Sequence, residues 1–361
     1  MSINFLELKQ EQKAASEKTL AAIKKIRQEY RFLIGSHVRL RLKKSLVSMG
    51  RQDLVDRTLL TPSVHSIHSE RLATRFIAQW DKIREANNRA WLSIPAELRS
   101  GTPPISDEHL ADKHLRFMTL IDSVTPVDAQ YALEAATLMK RELTSVIEQT
   151  KDIWFLGAIE VEVISLELMR KLSATDTLTG SETRKLDVCE ILAKDLDGTL
   201  YSNESSLMLV HIHGLVTAKF DSSFERLRKN LLQNPRWLKG KRQIEIKKLS
   251  KEYFGIAKST IQNLKHISRY ITKGGNDWYA DKAYLRYKIG FNNDESTLMT
   301  LEEWDAKNWR KIDFLRQEHL EEGITDMLSL TVYEIAQLAI CIDSLMALSP
   351  LRNGYLVRVG K

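Results

Sequence analysis

The stretch that most constrains this chain is LMLVHIHGLVTA, residues 207–218. It is almost wholly apolar, carries no proline, and reads as a buried strand. Two histidines, His211 and His213, interrupt it, with only Ile212 between them. On a strand, residues i and i+2 share a face, so both imidazoles point one way while Val210, Ile212 and Val216 point the other. Two imidazoles converging from one rigid strand are a natural pair of metal ligands.

A second stretch, WFLGAIEVEVI at 154–164, alternates cleanly. Ile159, Val161 and Val163 take one face, and Glu160 and Glu162 take the other. Antiparallel pairing of the two strands puts Glu160 or Glu162 beside the histidines. Two neutral imidazoles and one carboxylate leave open positions on a divalent ion, which is what a Lewis-acid metal needs to polarise a phosphate. A closed structural zinc site wants four protein ligands, and no fourth is evident.

The rest of the chain supplies the frame. Residues 1–105 read as a helical region, with LAAIKKIRQEYRFLI and HSERLATRFIAQWDKIREANNRAWL at helical spacing. Its basic segment RLRLKK, Arg39 to Lys44, reads as a solvated helix face or a DNA-backbone contact. SGTPPISDEH marks a linker. Residues 106–290 then carry the sheet. HLRFMTLI (114–121) reads as a strand ending in a turn at Asp122, Ser123 and Pro126, a helix follows over 127–149, and 165–206 reads as irregular and loop-rich. After the His strand come a basic helix over 221–233 and a short strand, QIEIKKL. Ser259 to Gln262 is a capping box opening a helix with Ile261, Leu264, Ile267 and Ile271 as its apolar stripe, ended by Gly274-Gly275. Residues 291–361 read as helical. The expectation is an α+β protein whose central antiparallel sheet is flanked by helical N- and C-terminal regions.

The net charge of +7 favours polyanionic partners. It is concentrated: Lys219 to Lys273 holds 15 Lys or Arg against 4 Asp or Glu. Trp237, Lys239, Lys241, Arg242, Lys247 and Lys248 are the candidate DNA contacts, with Trp237 as an exposed stacking platform. The two cysteines, Cys189 and Cys341, form no metal or disulfide motif and fit a reducing compartment. The first residues hold no apolar signal core, and no run of about 18 apolar residues occurs, so a cytoplasmic protein with no membrane partner is expected. GxxxxGK[ST] is absent, which excludes a recognisable P-loop motor.

On the capped helix, Tyr270 and Lys273 lie three apart and neighbour each other. A tyrosine attacks a phosphodiester only if its phenolate is stabilised, since about 0.1% is ionised at neutral pH. A metal-bound phosphate and a lysine nearby would serve.

HIHG at 211–214 followed by YITK at 270–273 resembles the HUH endonuclease superfamily, and within it the single-tyrosine rolling-circle replication initiators. FMTLI at 117–121 resembles that family's first motif, and GAIEVEV at 157–163 resembles the strand whose glutamate completes the metal site. The resemblance spans residues 114 to about 275 and keeps the family's motif order. It implies that His211, His213 and Glu160, with Glu162 as fallback, hold Mg²⁺ or Mn²⁺. It implies that Tyr270 attacks single-stranded origin DNA to leave a 5′-phosphotyrosine link and a free 3′-OH, with Lys273 positioning the phosphate or stabilising charge. The activity implied is site-specific nicking and joining that starts rolling-circle replication, with a host helicase as partner. A single-tyrosine transposase, a relaxase-like mobilisation nickase and a non-cutting DNA-binding protein are the alternatives. The chain departs from the family in placing about 40 residues between the Glu and His strands, which means either an elaborated hairpin or a different pairing. It also has Gly274 where two-tyrosine enzymes have a second tyrosine.

Overall fold

The computed structural model describes residues 62–99, 104–174, 180–196, 206–238, 242–249, 252–253, 256–257, 259–271, 332–347 and 356–360, with positions 47, 50 and 52. The helix expected over LAAIKKIRQEYRFLI, the basic run Arg39 to Lys44, Lys239, Lys241, Lys273 and Gly274 lie outside the described residues.

In chain order the elements are α1 (Pro62–Leu92), α2 (Ala96–Arg99), α3 (Asp107–His114), β1 (Leu115–Pro126), α4 (Ala129–Gln149), β2 (Ile153–Ser165), α5 (Leu166–Ala174), α6 (Gly180–Ala193), β3 (Ser206–Ala218), α7 (Asp221–Leu232), β4 (Ile244–Lys248), β5 (Glu252–Tyr253), β6 (Ile256–Ala257), α8 (Thr260–Ile271), α9 (Val332–Ala347) and β7 (Leu356–Val359). Five strands form one antiparallel sheet in the order β4-β1-β3-β2-β7, and β5 and β6 form a separate ribbon. The fold is α+β, as expected. Leaving β7 aside, strand succession β-α-β-β-α-β with spatial order 4-1-3-2 is the ferredoxin-like pattern.

The chain divides into two compact units. One comprises Arg57–Leu166, Arg184–Asp277 and Gln337–Lys361 and holds the sheet. The other comprises Met1–Asp56, Glu167–Thr183 and Trp278–Ala336, and its described residues are helical or lie at a turn.

Local chemistry explains the helices. Asp128 caps α4, its carboxylate accepting from the amides of Gln130 and Tyr131, and α4 buries Ala132, Ala136, Met139, Leu143 and Ile147 at helical spacing. The box at α8 is as expected: the Ser259 amide donates to Gln262 Oε1 at 2.9 Å and the Gln262 amide to Ser259 Oγ at 3.3 Å. Leu264, Ile267 and Ile271 are buried; Ile261, placed in the same stripe by its spacing, is exposed. These three pack with Leu72, Phe76 and Trp80 of α1 against Leu115, Trp154, Leu156, Ala158 and Leu215 of the sheet. A Leu, Ile or Phe side chain buried in this way stabilises by about 1.5–3 kcal/mol. The packing seats α8 on the histidine-bearing face.

Three expectations are corrected. β1 does not turn at Asp122 and Ser123 but runs on to Pro126 through a bulge between Ile121 and Ser123. Asp and Ser there look like turn residues, yet a bulge needs an extra residue whose side chain finds its own partners. The supposedly irregular stretch 165–206 contains α5 and α6, and the last four residues of TDTLTGSET, Gly180 to Thr183, form the first turn of α6. The C-terminal region is not all helical: β7 pairs with β2 along Phe155 to Ala158 and covers that edge.

Gly157 and Gly214 face each other across β2 and β3. A Cβ on Gly157 would fall 2.5 Å from Phe155 Cζ and 2.6 Å from the His213 carbonyl oxygen; one on Gly214 would fall 2.8 Å from Gly157 Cα. Only glycine at both positions leaves room for the buried Phe155 ring.

Candidate metal centre with an adjacent tyrosine

The β2–β3 ladder sets the register. Glu160 is the direct partner of His211, Ala158 of His213 and Glu162 of Leu209, in an unbroken run from Ile153↔Ala218 to Ser165↔Ser206. The 40-residue connection is therefore an elaboration of a normal hairpin. Side-chain alternation brings Glu160, Glu162, His211 and His213 to one face.

Glu160 Oε2 lies 3.4 Å from His213 Nε2 and 3.7 Å from His211 Nε2. Ligand atoms of these three buried residues all lie within 4.8 Å of one another. The imidazoles meet edge to face, 4.7 Å between centroids. Both ring nitrogens of His211 are buried without a hydrogen-bond partner. A buried unsatisfied nitrogen costs about 1–3 kcal/mol, and an ion bound to its lone pair removes that cost. The donor set, two nitrogens and a carboxylate, suits an imidazole- and oxygen-binding divalent metal.

Protonation favours the same use. Burial pushes His211 down to about 4; Glu162 pulls upward and the Lys185 and Arg184 cations push down. Burial, then the neighbouring His211, holds His213 well below its ordinary value. Both rings are neutral near pH 7, with lone pairs available. Thr119, the direct partner of His213 on β1, has its Oγ1 2.9 Å from His213 Nδ1. When Nδ1–H donates to that hydroxyl, the lone pair sits on Nε2, the nitrogen that faces Glu160. Thr119 is the threonine of FMTLI.

Tyr270 is brought to the same place. Its ring centroid lies 5.3 Å from that of His213 and 6.0 Å from that of Phe117, and it is 41% exposed. Phe117 stacks on His213 at 5.7 Å, bracing the ring from the other strand. The buried stripe of α8 fixes the helix while Tyr270 stands at its exposed margin.

Two residues of the site escape a reading of the sequence. Lys185 of α6 forms an ion pair and hydrogen bond with Glu162. Burial acts to raise Glu162, but the Lys185 ammonium holds it well below the usual carboxylate range. Burial acts to lower Lys185, and Glu162 raises it above its ordinary value, with Glu160 and Tyr270 adding to the effect. Arg184, beside it, is a buried clamp: Nε donates to the Arg242 carbonyl at 2.7 Å, Nη1 to Glu245 at 2.8 Å and Nη2 to the Gln243 carbonyl at 3.2 Å. Nothing in SETRKLDVCE distinguishes these cations from those of a solvated helix.

Among the expected DNA contacts, Arg242, Lys247 and Lys248 are described and exposed. Trp237 is corrected: it is fully buried, and its indole Nε1 donates to Asp122 Oδ1 at 2.8 Å. Arg236 donates to both oxygens of the same carboxylate at 2.6 Å. The basic neighbours in NPRWLKGKRQ suggest a surface, but the indole satisfies the buried carboxylate at the β1 bulge, 115 residues away. No helix among the described residues is long and apolar enough to cross a membrane. Compared with known proteins, the chain matches no family model, no curated protein and no solved structure.

Proposed function

We propose that this chain is a metal-dependent nickase and strand-joining enzyme for single-stranded DNA, of the HUH type, acting in initiation of rolling-circle replication. The observation that carries the reading is the meeting of Tyr270 with the Glu160–His211–His213 set, its ring 5.3 Å from that of His213. A bound Mg²⁺ or Mn²⁺ supplies Lewis-acid polarisation of a phosphate oxygen.

The chain's residues supply the rest. Glu160, His211 and His213 hold the ion from one rigid sheet face, and Thr119 fixes the tautomer of His213. Tyr270 Oη gives up its proton and attacks phosphorus; the bond from phosphorus to the 3′ oxygen breaks, and that oxygen takes up a proton. The 5′ end stays on Tyr270 as a phosphodiester, so a 3′-OH can reverse the step without ATP. The chain has no P-loop, so unwinding falls to a separate helicase.

The test uses a randomised single-stranded DNA library labelled at its 3′ ends, incubated with the full chain and Mn²⁺. The label is expected to become covalent on the peptide containing Tyr270, located by mass after digestion. No adduct, or an adduct on another peptide, sinks the reading.

A further inference from the structure

Two carboxylates approach one imidazole nitrogen almost equally. His211 Nε2 is 3.7 Å from Glu160 Oε2 and 3.9 Å from Glu162 Oε1. What distinguishes them is α6. Its Lys185 Nζ holds Glu162 Oε2, while Glu160 reaches both imidazoles. Lys185 is delivered from a fixed backbone, because the adjacent Arg184 is tied to β4 and the turn before it through Arg242, Gln243 and Glu245. Glu162 and Lys185 keep 18% and 24% of their side chains exposed, so the pair sits at the rim of the site.

We propose that Lys185 is a positioning residue that keeps Glu162 out of the metal's ligand set, so that three protein ligands remain and the other positions stay open for water and phosphate. This rests on the metal reading above. The physical reason is competition: a carboxylate already matched to an ammonium has less to gain from a cation a few ångströms away. Released, Glu162 lies close enough to enter, and a fourth protein ligand takes the site toward the closed, structural kind. The long β2–β3 connection thereby has a task at the centre, although none of its described residues belongs to the Glu160–His211–His213 set.

The test is Mn²⁺ alone, titrated into the full chain, with water-proton relaxation reporting how many exchangeable waters the bound ion keeps. Lys185→Met should lose about one or two of those waters, as one carboxylate enters in mono- or bidentate fashion. Lys185→Met combined with Glu162→Gln should restore the wild-type number. Glu162→Gln alone should leave it unchanged. A purely electrostatic effect of Lys185 would alter affinity but not the water count, and a purely structural one would alter melting without either. An unchanged count in Lys185→Met, or a higher count in Glu162→Gln, overturns the inference while leaving the metal site in place. Failure of the wild-type chain to bind Mn²⁺ overturns the metal reading and this inference with it.

Discussion

Glu160 and His211 are direct partners across the β2–β3 ladder, with Glu160 Oε2 3.7 Å from His211 Nε2. An acid and a base at this separation are held by the sheet itself, through the pairing of β2 with β3. Substitutions at the centre should therefore change metal chemistry more than folding.

His211→Ala removes two buried nitrogens that lack partners, so the cost of the reduced packing is partly offset and the fold should persist. What should vanish is the response to metal. A ligand at 100 times its Kd stabilises by about 2.7 kcal/mol. Wild type should therefore melt several degrees higher in Mn²⁺ than in EDTA, and His211→Ala should melt alike in both. A Mn²⁺-dependent rise of wild-type size in the variant would remove His211 from the site.

Thr119→Val keeps the shape of the side chain and deletes the oxygen that meets His213 Nδ1. Loss of such an outer partner lowers metal affinity by roughly 10–100-fold. Isothermal titration with Mn²⁺ reads this directly; equal affinity would mean the hydroxyl does not orient the ring.

Tyr270→Phe removes one oxygen from a half-exposed side chain and leaves the ring beside His213 and Phe117. Melting temperature, Mn²⁺ affinity and single-strand affinity should match wild type, while the covalent adduct disappears. An adduct undiminished in the variant would show that another group attacks.

Arg242→Ala, Lys247→Ala and Lys248→Ala together remove three exposed cations on and beside the edge strand β4. For every phosphate of a single strand that is no longer neutralised, the plot of log affinity against log salt should flatten by about 0.7. Trp237→Phe should leave the slope alone and instead cost about 1.5–3 kcal/mol, because it deletes a hydrogen bond to a buried carboxylate. An unchanged slope in the triple variant would route DNA over other residues.

Gly214→Ala places a methyl group against the Phe155 ring and Gly157 Cα. Overpacking of this kind typically costs about 1–3 kcal/mol, readable as a lower melting temperature. A neutral result would mean the strands can spread without loss.

Much of the centre was legible in the chain because strand alternation leaves little freedom: once 154–164 and 207–218 are strands, Glu160 and Glu162 share one face of the first and His211 and His213 one face of the second, and the register Glu160↔His211 makes those faces the same. The capping box located α8 for a similar reason, since its two hydrogen bonds are local. What stayed hidden depends on distant partners. Asp122 and Ser123 look like a turn until Arg236 and Trp237 come back to fill the bulge. Trp237 looks exposed until Asp122 is known to need its indole. Lys185 looks solvated until α6 is laid beside β2. The four residues of β7 are too few to stand out by pattern, and only the open edge of β2 gives them a place.

The hairpin of β2 and β3 is 13 residues a side and stays paired to Ser165↔Ser206, immediately before a 40-residue excursion. Closing an excursion of that length instead of a tight turn of about five residues costs only about 0.6 kcal/mol per doubling, roughly 1.8 kcal/mol in all. Thirteen paired residues absorb such a sum without strain. The excursion is thus an attachment point: α5 and α6 are carried between Ser165 and Ser206 while the ladder alone holds the spacing of Glu160, His211 and His213, so what is inserted there sets the surroundings of the centre, Lys185 beside Glu162 among them.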